Sequence, residues 1–381
     1  MHVETIDHYL AGCVANGLRA QYPPAWPARF ADCEEKVAAR IAFHGISLLL
    51  WEADPVASGW PQGLTRTLRD EATGQSFWEE SHRAAISPLL ESLAEAGVEA
   101  VVLKGTALAY SLYPRPALRR RGDTDILVRE RDKARTRRVF ADCGFERVGD
   151  SLSFQEMWQA KGREGFDHFV DLHWRISASA NLAKHLERGG VADTVIPIPA
   201  LSRRAIGIDP IGNLVLVCMN RGLHEVFGYV AGDEKLHSGD RLIWAVDLHL
   251  ICALLQPRDW ARLVELAERS GTAVQVRAGL EFARRALGTA VPGHVREALA
   301  RDGGARDLNS YISTGSAMER LRLDLEACEG VLARASLVGS TIAPGPEKLR
   351  ERYPDAAGWP IAALRGRRLV EGLFRLATGR G

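Results

Sequence analysis

The sequence predicts an α+β fold in which a mixed β-sheet with packed helices is flanked by N-terminal and C-terminal helical regions. Before residue 80 and after residue 210, apolar side chains recur at helical spacing. The segment between them instead contains short β-branched runs separated by helical patterns. Strand, helix, strand and helix followed by further strands is typical of a mixed sheet covered by helices.

Length and composition indicate a globular protein with more than one domain. The 381 residues exceed what a single hydrophobic core normally organises, and 46% apolar with 25% charged residues is ordinary. The net charge of +1 favours neither nucleic acid nor a membrane as a partner. The six cysteines are scattered and "MHVETIDHYL" is not a signal peptide, so we expect a cytoplasmic protein.

The N-terminal region is predicted to be helical. In "CEEKVAARIAFHGISLLLWEA", residues 33–53, the spacing of apolar positions predicts one helix that ends before Pro55. A second helix is predicted over 78–96, where Gly97 would end it and Pro88 could bend it.

The middle of the chain supplies the predicted sheet. Its elements, in order, are a strand at 98–103, a short helix at 106–113, a strand at 124–128, an amphipathic helix at 129–144, a strand pair around Gly149 and the longest strand candidate at 166–177.

The remainder of the chain returns to helical patterns. These lie at 211–226, 240–255, 259–269, 273–287, 316–334 and 360–377. We therefore expect four regions. They are an N-terminal helical region at 1–80, a mixed-sheet core at 81–205, a C-terminal helical domain at 206–305 and a tail of helices and loops at 306–381.

Three aspartates stand out because each lies where an apolar strand is predicted. Asp123 and Asp125 begin "DTDILV", and alternate residues of a strand share a face, so their carboxylates should point the same way. Two neighbouring carboxylates are costly unless a cation sits between them, and Mg²⁺ prefers such oxygens. Asp171 in "FDHFVDLHW" is the best candidate for a third carboxylate on an adjacent strand. An isolated Asp-x-Asp is usually a turn or a helix N-cap, but the strand residues that follow it favour a metal site.

A turn between a predicted strand and a predicted helix is the candidate phosphate site. In "LKGTAL", residues 103–108, Gly105 lets the backbone approach a ligand, and amides at the start of the helix can bind an anion. Lys104 could neutralise phosphate, and Thr106 offers a hydroxyl. Arg121 is the nearby arginine expected to contact a triphosphate, because guanidinium groups match phosphate geometry. An ordinary turn with a capping threonine would explain the same residues, and the spacing of a Walker A motif is absent.

Taken together, these residues resemble the nucleotidyltransferase superfold of the DNA polymerase β type, in which a strand, a glycine turn, a short helix and an Asp-x-Asp strand precede a third acid. More narrowly, the chain resembles the bacterial family called "uncharacterised nucleotidyltransferase". The matching stretches are "LKGTALAYSLYP", "RRGDTDILV" at 120–128, "HFVDLHW" at 168–174 and "RLIWAVDLHLICALLQPRDWARLVELA" at 241–267. Thr106 departs from the superfold, which usually has a second small residue there.

The resemblance implies a metal-dependent nucleotidyltransferase. Asp123 and Asp125 would hold Mg²⁺ or Mn²⁺ on the phosphates of a nucleoside triphosphate, with ATP favoured, and Asp171 would complete the metal site. An acceptor hydroxyl would attack the α-phosphate in line, and pyrophosphate would leave. The acceptor would be a small molecule, a peptide or a protein.

The acceptor is expected between the carboxylate face and the helices at 211–226 and 240–255, because clefts between domains are common ligand sites. The residues expected to contact it are His173, Arg221, His224 and Asp247. A mutual contact between packed helices would explain Arg221 and Asp247 nearly as well.

Two other functions remain open at this point. Some glycosyltransferases bind a metal and a sugar nucleotide through Asp-x-Asp, but they place it after a Rossmann-like half that the helical N-terminal region does not resemble. A non-catalytic nucleotide-binding regulator or scaffold is the other alternative, and the presence of three acids argues against it.

Overall fold

The computed structural model describes residues 3–149, 154–162, 165–177, 179–231, 234–236, 240–342, 345–356 and 358–378. The strands are β1 (Val101–Leu103), β2 (Asp123–Leu127), β3 (Glu146–Val148), β4 (Gln155–Lys161), β5 (Asp167–His173), β6 (Val195–Pro197), β7 (Ile206–Ile208), β8 (Tyr229–Ala231) and β9 (Glu234–Leu236). The helices are α1 (Val3–Leu18), α2 (Glu34–His44), α3 (Ser47–Glu52), α4 (Gln62–Glu95), α5 (Lys104–Leu112), α6 (Lys133–Asp142), α7 (Ala180–Arg188), α8 (Pro210–Phe227), α9 (Leu242–Leu254), α10 (Pro257–Ser270), α11 (Ala273–Leu287), α12 (Gly293–Arg301), α13 (Arg306–Ser313), α14 (Ala317–Ala327), α15 (Val331–Ile342), α16 (Pro346–Arg352) and α17 (Ile361–Thr378).

Seven of the described strands form one mixed sheet in the order β3-β4-β5-β2-β1-β7-β6. Strand β2 pairs in parallel with β5 and antiparallel with β1, and β1 pairs in parallel with β7. The parallel pairing of β2 with β5 brings the two aspartate-containing segments side by side. Asp125 lies opposite Asp171, although the two residues are 46 positions apart in the sequence. The predicted α+β class with a mixed sheet is confirmed.

Side chains of the central strands alternate between two apolar cores. Val102 and Ile126 pack with apolar residues of α4 and α6. Val101 and Leu103 pack instead with the core formed by helices from both ends of the chain. Asp125 lies directly opposite Leu103 in the β1–β2 ladder. Since opposed residues share a sheet face, Asp125 projects toward the second core.

Helices from the predicted N-terminal and C-terminal regions share that second core. It contains apolar residues of α1, α2, α3, α8, α9 and α11, among them Leu10, Ile41, Leu50, Leu214, Ile251 and Leu280. No described helix combines the length and the hydropathy that a bilayer-spanning segment needs.

Several predicted elements have different limits in the structure. The helix predicted over 33–53 is two helices, because Gly45 adopts a left-handed φ of 68° and ends α2. The helix predicted over 78–96 begins earlier, at Gln62, with Pro88 inside it. It therefore runs without a break across the predicted boundary at residue 80. The pattern at 316–334 corresponds to α14 and the start of α15.

Candidate active site

The predicted aspartate segments meet in the centre of the sheet. Asp125 in β2 lies directly opposite Asp171 in β5. Asp123 is the first residue of β2, and His173 is the last residue of β5. Residues two apart in a strand share a face, so the side chains of all four residues project from the same face of the sheet, as the sequence predicts.

Three of these side chains form a compact set of possible metal ligands. One ligand atom from each of Asp125, Asp171 and His173 lies within 4.8 Å of the others. His173 Nε2 is 2.9 Å from Asp125 Oδ1, and Gln155 Nε2 donates to Asp171 Oδ2 at 3.3 Å. Within the described part of the chain, the buried Nδ1 of His173 has no hydrogen-bond partner.

Lys104 brings a positive charge to this set of ligands. Its Nζ lies 2.5 Å from Asp125 Oδ1. The residue begins α5 directly after β1, and its φ is 49°. This left-handed conformation is uncommon for lysine and persists only where the surrounding structure holds it.

The carboxylates differ in how readily they ionise. Burial acts to raise the pKa of Asp125, but Lys104 and His173 outweigh it and hold that pKa well below its usual range. Although Asp123 is exposed, the surrounding protein removes part of its hydration, and this effect together with Asp125 and Asp171 raises its pKa to about 7. Burial and the Asp125 charge also raise the pKa of Asp171. Three carboxylates thus face one lysine, and a further cation would be stabilised among them.

The donor set fits a divalent metal ion. Carboxylate oxygens are the ligands preferred by Mg²⁺ and Mn²⁺, and imidazole is a common ligand of transition metals. The close approach of the Lys104 ammonium to Asp125 identifies this oxygen as a place where positive charge is already favourable. The residues that would hold the ion are Asp125 and Asp171, with Asp123 beside them and His173 in contact with Asp125.

Two residues predicted to bind phosphate point into the protein. The buried hydroxyl of Thr106 donates to the backbone oxygen of Asp123 at 3.2 Å. Arg121 forms two hydrogen bonds of 2.7 Å with Glu79, and both side chains are nearly inaccessible to solvent. A phosphate contact by Arg121 would therefore require a buried ion pair to break. Lys104 and Gly105 lie in the first turn of α5, which begins two residues before the helix predicted at 106–113.

Asp247 was expected to contact the acceptor, but its side chain is enclosed in the protein and bound by other residues. It is completely buried in α9, and its two carboxylate oxygens accept three hydrogen bonds from Arg119 at 2.8–3.0 Å. The hydroxyl of Tyr113 donates a fourth at 2.7 Å. Because these donors occupy both oxygens, we exclude Asp247 from the proposed acceptor contacts. Asp247 pairs with Arg119, and Arg221 pairs with Asp240, so the alternative of a mutual contact between Arg221 and Asp247 is also wrong.

The other two expected acceptor residues have different surroundings. Arg221 is buried and pairs with Asp240, with its Nε 2.5 Å from Asp240 Oδ1. His224 stacks on Trp244 with ring centroids 5.5 Å apart. Burial lowers the pKa of His224, and the nearby charges of Arg241 and Lys104 lower it further. His224 Nδ1 lies 3.0 Å from the backbone oxygen of Gly228, directly after the end of α8.

Sequence reasoning did not find the partners of these buried charges. An aspartate within the apolar run "LIWAVDLHLICAL" of α9 indicates that a cation must be nearby, but local spacing does not identify Arg119. Similarly, Glu79 is one of several acids on α4 and has no distinguishing local motif.

Comparison with known proteins gives a family for this chain. A family model described as "Uncharacterised nucleotidyltransferase" matches residues 33–288, from α2 through α11. Among solved structures, the chain is similar to an antigenic nucleotidyltransferase-like protein from Paracoccidioides brasiliensis, with 16% sequence identity, coverage of 56% of this chain and 94% of that chain, and a TM-score of 0.35. No curated protein matches the sequence. The family match spans about two thirds of the chain, and we conclude that the protein belongs to the uncharacterised nucleotidyltransferase family and is an enzyme of the nucleotidyltransferase type.

Proposed function

We propose that this enzyme transfers a nucleoside monophosphate from a nucleoside triphosphate, with ATP the favoured donor, to a hydroxyl or similar group on a small molecule, peptide or protein. Pyrophosphate is the second product. The observation that carries the proposal is the convergence of Asp125, Asp171 and His173 beside Asp123 and Lys104, in a chain of the nucleotidyltransferase family.

Asp123, Asp125 and Asp171 are the proposed ligands for Mg²⁺ or Mn²⁺. When bound, such an ion stabilises the charge that develops on the attacking and leaving oxygens during phosphoryl transfer. His173 orients Asp125 through its Nε2 contact. Asp171 is the carboxylate that we propose helps to activate the acceptor hydroxyl.

Lys104 and Arg120 are the proposed phosphate contacts. A metal ion on Asp125 would compete with the Lys104 ammonium for the same oxygen and would leave Lys104 free to neutralise phosphate. Arg120 replaces Arg121 in this role, because its side chain is 45% exposed and its nearest anionic partner, Glu71, is 3.6 Å away. The backbone N–H groups in the first turn of α5, including that of Gly105, would add donors that can bind an anion.

The acceptor is proposed to lie between the carboxylate face of the sheet and α8. We propose that residues 81–205 form the donor-binding core and that 206–305 supply the opposite wall of the cleft. His224 remains in the proposed acceptor set because it lies in the last turn of α8, which forms part of the proposed wall. Arg221 is assigned to holding this part of α8 through Asp240.

The test is nucleotide binding that depends on both metal and carboxylates. The protein is titrated with each of the four nucleoside triphosphates in Mg²⁺ or Mn²⁺, and its melting temperature is measured. A ligand at about 100 times its dissociation constant stabilises the native state by about 2.7 kcal/mol. We expect this stabilisation to disappear in Asp125→Asn and Asp171→Asn. The matched control is Asp167→Asn, which alters an exposed carboxylate on the same strand and face as Asp171.

Chemistry is tested with nucleotides labelled at the α-phosphate. Pyrophosphate release is measured, and mass spectrometry identifies label transferred to the protein or to supplied hydroxyl-bearing acceptors. Stabilisation by nucleotide that is equal in Asp125→Asn and in the parent protein would contradict the proposed site. Transfer of a sugar from a sugar nucleotide, without pyrophosphate release, would favour the glycosyltransferase alternative.

A further inference from the structure

We propose that Glu79 and His82, on α4, are positioning residues that hold the Lys104–Thr106 turn against the strand of Asp123 and Asp125. The inference rests on the proposed function, because the groups that it positions are the proposed phosphate and metal ligands. In the described part of the chain, neither Glu79 nor His82 hydrogen-bonds to those carboxylates. Any effect of Glu79 and His82 on the carboxylates would therefore pass through the residues that lie between α4 and the carboxylates.

The first connection runs through Arg121. Its two terminal nitrogens each donate to a different oxygen of Glu79 at 2.7 Å, and its Nε donates to Thr106 Oγ1 at 2.9 Å. The hydroxyl of Tyr110 donates to Glu79 Oε1 at 2.6 Å. Because the guanidinium group is planar and rigid, an anchor on Glu79 also fixes the direction in which Nε meets Thr106.

The second connection runs through Thr124, the residue between the two strand aspartates. His82 Nε2 lies 2.7 Å from Thr124 Oγ1, which in turn lies 2.8 Å from Thr106 Oγ1. Trp78 stacks on His82 with ring centroids 4.4 Å apart, which restricts rotation of the imidazole. Both connections thus converge on the hydroxyl of Thr106.

One arrangement of protons satisfies all these contacts. His82 Nε2 donates to Thr124, Thr124 donates to Thr106, and Thr106 donates to the backbone oxygen of Asp123. Thr106 Oγ1 then accepts from both Thr124 and Arg121 and has no capacity left for a ligand. The arrangement requires neutral His82, whose Nδ1 accepts from His168 Nδ1 at 3.2 Å.

The backbone at Lys104 explains why the turn needs this support. Lys104 has a φ of 49°, a conformation that a lysine leaves unless neighbouring contacts hold it. Thr106 is two residues further along and is fixed by the converging hydrogen bonds. Releasing Thr106 would allow Lys104 to relax and would move its ammonium relative to Asp125.

The experiment uses variants of the full chain that separate the network from general stability. His82→Phe keeps a ring on Trp78 but removes the donor to Thr124, and His82→Gln restores an N–H donor. Glu79→Gln weakens the contact with Arg121. Its matched control is Glu80→Gln, which removes an exposed charge from the adjacent position of α4.

The first measurement is amide hydrogen exchange followed by mass spectrometry. We expect faster exchange in peptides that cover 101–106 and 123–127 in His82→Phe and Glu79→Gln, with recovery in His82→Gln and no change in Glu80→Gln. Unchanged exchange in these peptides would overturn the inference, as would a uniform increase across the described chain, which would indicate only lower global stability.

The second measurement is Mn²⁺ affinity, from the electron paramagnetic resonance signal of the free ion. We expect binding about tenfold weaker in His82→Phe, as is typical when groups that orient metal ligands are lost. Equal affinity in His82→Phe and the parent protein would contradict a role in positioning the metal ligands. If the parent protein binds no Mn²⁺ while local exchange still responds to His82→Phe, the proposed function fails and the connection between turn and strand stands.

Discussion

Replacing Asp247 tests whether the buried charge of α9 joins the helical region to the sheet core. Asp247→Asn preserves the size of the side chain and removes its charge. The Asp247 side chain is 0% exposed and that of its partner Arg119 is 10% exposed, so the guanidinium would lose its carboxylate in an environment with little water. We therefore expect a large loss of folding stability.

The magnitude follows from the geometry of the ion pair. Arg119 donates three hydrogen bonds of 2.8–3.0 Å to Asp247, and Tyr113 donates one of 2.7 Å. Removing one partner of a buried ion pair costs about 3–5 kcal/mol. Asparagine retains one oxygen acceptor, so the expected loss of stability is about 3 kcal/mol, at the lower end of this range. Replacing both partners, in Arg119→Met with Asp247→Leu, should recover most of it because no buried charge remains.

The assay is urea unfolding followed by tryptophan fluorescence, which reports on nine tryptophans. The control is Glu265→Gln, where the carboxylate is 73% exposed and lies 3.7 Å from Arg269. An exposed pair of this kind contributes about 0–1 kcal/mol. The structural reasoning is refuted if Asp247→Asn is as stable as the control variant. A raised KM for the acceptor without a loss of stability would return Asp247 to the acceptor site.

Two further predictions concern stability at other positions. Burial and the Arg121 charge hold the pKa of His82 well below 6.5, so as the pH falls the unfolded chain takes up a proton that the native state excludes. The contribution of His82 to the free energy of unfolding should therefore drop between pH 7 and pH 5, by at most about 2 kcal/mol. Urea titrations at both pH values check this, and a decrease of the same size in His82→Gln would contradict it. Asp209 caps α8 by accepting from the Gly212 amide at 2.8 Å, so Asp209→Ala should lower stability by about 1 kcal/mol while Asp209→Asn retains most of the cap. Equal melting temperatures for the two variants would show that the cap contributes little.

The central arrangement of strands and aspartates could be predicted because it depends on local patterns. The run "DTDILV" sets the face of Asp123 and Asp125 through the two-residue period of a strand. The same period sets Asp171 and His173 in β5. Parallel pairing of β2 with β5, in the register that the structure shows, places Asp125 opposite Asp171. Family motifs supplied the adjacency of the two strands, which period alone does not determine.

Helix limits were less predictable where the conformation of one residue determines whether a helix ends or continues. The apolar spacing continues through 33–53, so periodicity alone does not show the end of α2 at Gly45. In the structure, Gly45 has a left-handed φ of 68°, a conformation that residues with a side chain rarely adopt. Apolar periodicity carries no information on the backbone angle of a single residue, so it cannot detect this end of the helix.

The three consecutive arginines show why buried charges were the hardest feature to assign. In an extended segment, Arg119 and Arg121 share a face, and both side chains are buried here while that of Arg120 is exposed. As a result Arg119 reaches Asp247 in α9, Arg121 reaches Glu79 in α4, and Arg120 remains exposed. Guanidinium groups suit carboxylates as well as phosphates, so residue type alone favours neither partner. The distinguishing property is burial: an arginine that is already enclosed with a carboxylate contributes to the architecture of the site, and the exposed neighbour is the one able to meet a ligand.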